Sequence, residues 1–139
     1  MMEATRELDE TVFAASEPYM NDRQLAYFKN KLIVLKMDLT EKANQKKGKI
    51  KEIGVAQPDI LDKSNTMAQV EQDIRSYERN RQLIRQINDA LRRIEDGSFG
   101  YCKITGDEIG LKRLEALPFT PVSIEALKEI ETRNQRLSH

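Results

Sequence analysis

Residues 25–39 read LAYFKNKLIVLKMDL, and in them Leu25, Phe28, Leu32, Leu35 and Leu39 recur at spacings of three, four, three and four. That alternation is a heptad stripe, which an α-helix gathers onto one face. Working outward, Pro18 lies ahead of the stripe, and Asn21 or Asp22 can cap a helix by accepting from its first free N–H groups. The stripe weakens through Ala43 and Lys46, returns at Ile50 and Ile53, and stops at Gly54 and Pro58. A helix over residues 22–53 is expected, about 48 Å long at the helical rise per residue.

A second pattern runs Met67, Val70, Ile74, Tyr77, Ile84, Ile87, Leu91 and Ile94, with Arg81 where an apolar residue was due. Asp96-Gly97 ends it, with Gly97 as a left-handed stop. Two long helices with one-sided stripes cannot bury those stripes alone. An antiparallel coiled-coil hairpin is therefore expected over residues 19–97, with its tip near 54–64. A homodimeric coiled coil is the competing arrangement, and the Gly54–Pro58 break argues against one continuous rod.

Residues 98–139 change character. Phe99, Tyr101, Ile104, Ile109, Leu111, Leu114 and Phe119 come with Gly97, Gly100, Gly106 and Gly110, which reads as a small, turn-rich lobe. Pro118 and Pro121 lead into a C-terminal helix, with Thr120 as its cap and Pro121 at its first position. Ile124, Leu127 and Ile130 supply its apolar face. Residues 1–18 are acidic and weakly patterned and are expected to be flexible. The fold class is mainly all-α.

Composition agrees. Of 139 residues, 39% are hydrophobic and 33% charged, with no Trp, which favours long solvated helices over one large core. The formal net charge is zero, which disfavours a globally basic nucleic-acid binder. The run Lys42, Lys46, Lys47, Lys49 and Lys51 reads as a solvated helix face. One cysteine, Cys102, allows no intramolecular disulfide. No apolar run approaches the roughly 18 residues that span a bilayer, and no signal peptide is apparent, so a soluble, cytoplasmic protein is expected.

Two stretches could carry chemistry. At the expected tip, Pro58-Asp59-Ile60-Leu61-Asp62-Lys63-Ser64 places two carboxylates three residues apart. They could approach a metal ion, a basic residue or a backbone N–H on a partner. The local alternative, which spacing alone favours, is that one of them caps the second helix. A hairpin tip offers no cleft to separate their pKa values, and the only histidine is the terminal His139. No phosphate-binding glycine motif is present, so an enzyme is not expected.

The other stretch is Gly100-Tyr101-Cys102-Lys103-Ile104-Thr105-Gly106, which has the outline of a zinc knuckle with only its first sulfur. Ser123-Ile124-Glu125-Ala126 stands where the other half would be. A structural zinc takes four Cys, His or carboxylate ligands. Neither zinc nor any other resident cofactor is expected from these donors, and Cys102 reads as a small, partly buried residue.

In order and at matching separations, several stretches make the chain resemble the DksA/TraR family, bacterial transcription factors that bind RNA polymerase directly. They are Tyr19-Met20-Asn21, Gln24-Leu25-Ala26-Tyr27-Phe28, Pro58-Asp59 with Asp62, Phe99-Gly100-Tyr101-Cys102, Gly106-Asp107-Glu108-Ile109-Gly110 and Arg113-Leu114-Glu115-Ala116. The resemblance covers about residues 18–135. It implies a coiled coil inserted into the polymerase secondary channel, and a lobe gripping the channel rim. Asp59 and Asp62 match the family's tip aspartates, and Ser64 stands where a small residue, usually Ala, follows them.

The family's zinc form has four cysteines. Cys102, Thr105, Ser123 and Ala126 stand at those positions, which places the chain in a zinc-independent branch, its lobe held by Ile104, Ile109, Leu114, Val122 and Leu127. The family's basic side chains for the alarmone ppGpp correspond to Gln86, Leu117 and Leu127, while Arg79 and Leu83 match. Loss of those cations implies a weakened ppGpp response, with ppGpp at most a weak interfacial effector. The function implied is stringent-response-type modulation of initiation by a monomer without sequence-specific DNA binding. The alternatives are a coiled-coil adaptor and a Gre-type transcript-cleavage factor whose tip acids hold a second Mg²⁺.

Overall fold

Asn21 starts the first helix. Its side-chain oxygen accepts the Gln24 N–H at 2.8 Å, and the Gln24 side chain reaches back to accept the Met20 N–H at 2.7 Å. This reciprocal arrangement satisfies donors that the helix itself leaves free, and it explains a buried glutamine at a helix entrance. The computed structural model describes residues 17–55 and 67–137. They form α1 (Asp22–Val55), α2 (Met67–Asp96), α3 (Leu111–Ala116) and α4 (Ile124–Leu137). The only extended pairing among them is an isolated bridge between Tyr101 and Glu108. The fold is mainly α, as the two heptad stripes require. No helix among the described residues is long and apolar enough to cross a membrane.

α2 stops where Gly97 turns left-handed, at φ 85°. The N–H groups of Ser98 and Phe99 then close on the Arg93 carbonyl at 3.0 and 3.1 Å, and Asp96 accepts from the Ser98 N–H at 2.9 Å. Helix-end carbonyls are satisfied this way when a residue without a Cβ takes the turn.

Packing divides the chain into two units, Met1–Ile33 with Ile87–His139, and Val34–Gln86. In the first, Phe28 and Leu32 of α1, Ile87 and Ala90 of α2, Phe99 and Leu114 are fully buried together. Phe28 meets Phe99 with ring centroids 5.8 Å apart. In the second, Leu39 and Ala43 of α1 and Val70 of α2 are buried, and Lys46 of α1 pairs with Asp73 of α2 at 2.8 Å. In each unit the stripe of α1 is thus covered by α2 of the same chain.

Three expectations need correction. The second stripe was read through Ile74, yet Ile74 is 37% exposed and its neighbour Asp73 is buried. The Lys46 ammonium makes that position polar. The C-terminal helix begins at Ile124, and its cap is Ser123, whose Oγ accepts the Ala126 N–H at 3.2 Å. Thr120 is instead buried, its hydroxyl donating to the Val122 carbonyl at 3.2 Å. Finally, Ile104 is 58% exposed and Leu127 also faces solvent, so neither holds the lobe. Phe99, Cys102, Ile109, Leu114 and Ala126 fill its interior, because the turn after Cys102 points Ile104 outward.

Candidate functional site

The tip residues Asp59, Asp62 and Ser64 lie outside the described residues. The described site is the lobe turn around Cys102 and the groups that hold it.

Gly100 and Gly110 bracket this turn with left-handed backbones, φ 94° and 101°. Between them the Ile109 N–H donates to the Gly100 carbonyl at 2.8 Å, and the Cys102 N–H to the Asp107 carbonyl at 2.7 Å. The Gly106 N–H closes back on the Cys102 carbonyl at 2.9 Å. Tyr19 straps the bracket from outside. Its hydroxyl donates to the Gly100 carbonyl at 2.6 Å and accepts the Gly110 N–H at 3.0 Å. Burial pushes the Tyr19 phenol up, partly offset by the bond from Gly110. Its ring stands edge-on to Tyr101 at 5.6 Å. Met20 lies against the bare face of Gly100, where a Cβ would sit 2.7 Å from the Met20 Cγ.

The structure gathers the four positions Cys102, Thr105, Ser123 and Ala126. Burial pushes the Cys102 thiol up. Hydrogen bonds from the Thr105 side chain and from the N–H groups of Ser123, Thr105 and Ile104 outweigh that and lower it to about 6. The Ser123 hydroxyl is taken by the Ala126 N–H. A second chain segment locks on beside them. The Lys103 N–H donates to the Pro121 carbonyl at 2.8 Å, and Arg113 donates to the Val122 carbonyl at 3.0 Å.

A further node joins α1 to the lobe. The Tyr27 hydroxyl donates to the Glu115 carboxylate at 2.7 Å, while the Lys31 ammonium reaches the same carboxylate at 2.5 Å and the Glu115 carbonyl at 2.8 Å. Lys31 also sits 5.7 Å from the Tyr27 ring centroid. Sequence reading missed the roles of Tyr19, Glu115 and Asp73. Tyr19 and Glu115 belong to stretches that carry the family resemblance, and their partners lie more than eighty residues away, beyond the reach of any local period.

Of the positions tied to ppGpp, Arg79 is exposed, and Leu83 and Gln86 are half-buried, all on α2. Leu117 and Leu127 are exposed on the lobe at 40% and 36%.

Residues 24–94 match the DnaK suppressor protein DksA N-terminal domain, and residues 97–131 match the prokaryotic dksA/traR C4-type zinc finger. The chain is 40% identical to the RNA polymerase-binding transcription factor DksA of Caulobacter vibrioides over 119 residues, covering 86% of this chain and 84% of the relative. It is 31% identical to the protein of the same name from Escherichia coli K12 over 122 residues, covering 88% and 81%. The solved structure of transcription factor DksA2 from Pseudomonas aeruginosa superposes with a TM-score of 0.78 at 26% identity, covering 91% of this chain and 98% of that one.

The zinc-finger match overturns the expectation that no cofactor belongs here, since it points to zinc binding. That expectation rested on ligand count alone. The match extends over residues 97–131, most of the lobe, whose glycine turns and cross-links keep a knuckle's layout. The donor set is nevertheless not that of a four-thiolate site. Cys102 supplies the one sulfur, Thr105 and Ser123 supply hydroxyls and Ala126 supplies nothing. Among the described residues no three His, Cys, Asp or Glu side chains cluster as a metal site.

Proposed function

The chain belongs to the DksA/TraR family, and we propose that it is a transcription factor that binds RNA polymerase directly and modulates initiation. The observation that carries this reading is the 40% identity, across 86% of the chain, to a relative named for that activity. The two family domains, matched in order over 24–94 and 97–131, support it.

In this reading the hairpin enters the polymerase secondary channel and brings Asp59 and Asp62, with Ser64 beside them, toward the active site. Their negative charge reorganises contacts that hold the initiation complex open. The factor shifts that equilibrium only by its differential affinity for the two states. Arg79 and Leu83 on α2 face the polymerase. Apolar or neutral side chains at Gln86, Leu117 and Leu127 support a weak response to ppGpp, whose phosphates need cations. The protein acts as a monomer, since each long helix spends its stripe on the other. It performs no reaction of its own and reads no DNA sequence.

The test is in vitro transcription from a ribosomal-type promoter, with co-purification of core polymerase as the binding measure. Asp59→Asn and Asp62→Asn are expected to bind polymerase like the parent and to lose regulation. Unchanged regulation by both variants refutes the tip mechanism. Release of short RNA from a backtracked complex would instead make the protein a cleavage factor.

A further inference from the structure

The side of α1 turned away from its buried stripe is not uniformly polar. Ile33, Val34 and Met37 are 38%, 58% and 67% exposed. They are the only exposed large hydrophobic residues of α1 among the described side chains, and they fall within five positions. Single apolar residues scattered over a surface are ordinary, whereas a contiguous patch rimmed by polar groups is often a place of contact.

Two charges frame this patch. Lys29, Ile33, Met37 and Glu41 stand four residues apart, so they form one ridge along α1, about 18 Å from end to end. All four are exposed. Tyr27 and Lys31, which bind the lobe through Glu115, lie two residues either side of Lys29 and therefore on the far side of the helix. Neither Lys29 nor Glu41 belongs to an ion pair among the described residues. No acid stands three or four residues from Lys29, and no base stands three or four from Glu41, so α1 itself offers neither a partner.

The order of the ridge is positive, apolar, apolar, negative. Reversed, it complements itself. A two-fold axis passing midway along the ridge sets Lys29 of each copy against Glu41 of the other, and Ile33 against Met37. Rows four residues apart are those by which α-helices most often interdigitate, and a two-fold interface must present one self-complementary patch. Val34, beside the ridge, widens its apolar centre.

We propose that this ridge of α1 is a self-association surface on which two copies of the chain pair antiparallel. It is a different face from the stripe that α2 covers, so pairing leaves that stripe untouched. The face is small. Two such ridges bury less than the roughly 1,200 Å² that bounds weak encounters, so the expected Kd is about 0.1 mM. The monomer proposed above to act on polymerase is the dissociated form, and the pairing does not depend on that function.

The test is sedimentation equilibrium of the full chain at low salt, from about 10 μM to about 1 mM. The average mass of the parent is expected to climb from that of one chain toward that of two. Lys29→Glu alone and Glu41→Lys alone each place like charges at both ends of the pair, because the axis repeats every contact, and each should raise Kd about tenfold. An equimolar mixture of these two variants sets opposite charges at both ends again, and should recover the parent Kd within about twofold. Ile33→Ser/Met37→Ser should abolish association. A parent that stays monomeric to about 1 mM overturns the proposal. So does association that both single reversals leave unchanged, and so does a mixture that binds no tighter than its components. A monomeric parent, with core polymerase no longer co-purifying with Ile33→Ser/Met37→Ser, overturns it by giving the face to the polymerase.

Discussion

Tyr19→Phe removes one oxygen and leaves the ring, still edge-on to Tyr101 at 5.6 Å. Its two hydrogen bonds are lost unequally. The Gly100 carbonyl keeps the Ile109 N–H at 2.8 Å. The Gly110 N–H loses the phenol oxygen to which it donates at 3.0 Å. A buried donor left unpaired costs about 1–3 kcal/mol, and a bond lost from an acceptor that keeps another donor costs about 0.5–1 kcal/mol. Gly110 is only half-buried, which puts the sum near the lower end, about 2 kcal/mol. For a chain of this size that lowers Tm by about 7 °C. Thermal melting followed by circular dichroism measures the global loss. Amide exchange at Gly110 measures it locally and should quicken by about thirtyfold if the strap limits local opening. A fall in Tm under about 2 °C, with Gly110 exchange unchanged, refutes the view that this hydroxyl holds the two glycine turns together.

Gly100→Ala and Gly97→Ala both force a Cβ into a left-handed backbone, at φ 94° and 85°, but only at Gly100 does the new carbon meet Met20 at 2.7 Å and Tyr19 at 3.3 Å. Gly97→Ala should cost about 1–2 kcal/mol, and Gly100→Ala should exceed it by about 1 kcal/mol, read from urea midpoints. Acid should weaken the fold through Asp73 and Asp96. The bond from Lys46 holds the Asp73 carboxyl below the usual carboxylate range against the opposing effect of burial, and the Ser98 hydroxyl and N–H do the same for Asp96. Because the folded values are depressed, their contribution is full above the unfolded pKa, about 4, and disappears as pH falls through the folded values. Urea midpoints should therefore drop as pH falls below about 4, and Asp73→Asn should flatten that slope.

The long helices were legible because their period is local. Leu25 to Leu39 gave α1 its face, and the choice of Asn21 or Asp22 as cap marked its start within one residue. Ile74 was misread because a stripe is judged one helix at a time. Whether position 73 or 74 turns inward depends on Lys46, which lies on the other helix. The Ser123 cap was missed for a related reason. Thr120 has the right side chain, but Arg113 donates to its hydroxyl at 3.4 Å and holds it in the lobe. Zinc binding by the lobe was discounted because sulfur atoms are easy to count in a sequence, whereas a framework of turns bonded at Gly100, Cys102, Gly106 and Ile109 is not. Tyr19 was visible as part of a motif and opaque as a mechanism, since its acceptor lies 81 residues on and its donor 91.

Those two separations have a meaning on the ribosome. Tyr19 leaves the exit tunnel while the glycines it will hold are still unmade. At ordinary rates of synthesis the delay is roughly five to twenty seconds. Phe28 and Leu32 wait for most of that interval too, since Ile87, Ala90 and Phe99 bury with them. The nascent chain therefore carries an uncovered apolar stripe through most of its translation. The lobe is completed only by contacts that run back to the earliest part of the chain, and such non-local closures form slowly. Shortening the message before residue 87 would leave the α1 stripe without Ile87, Ala90 and Phe99, and the product would be a substrate for chaperones and proteases rather than a smaller working factor.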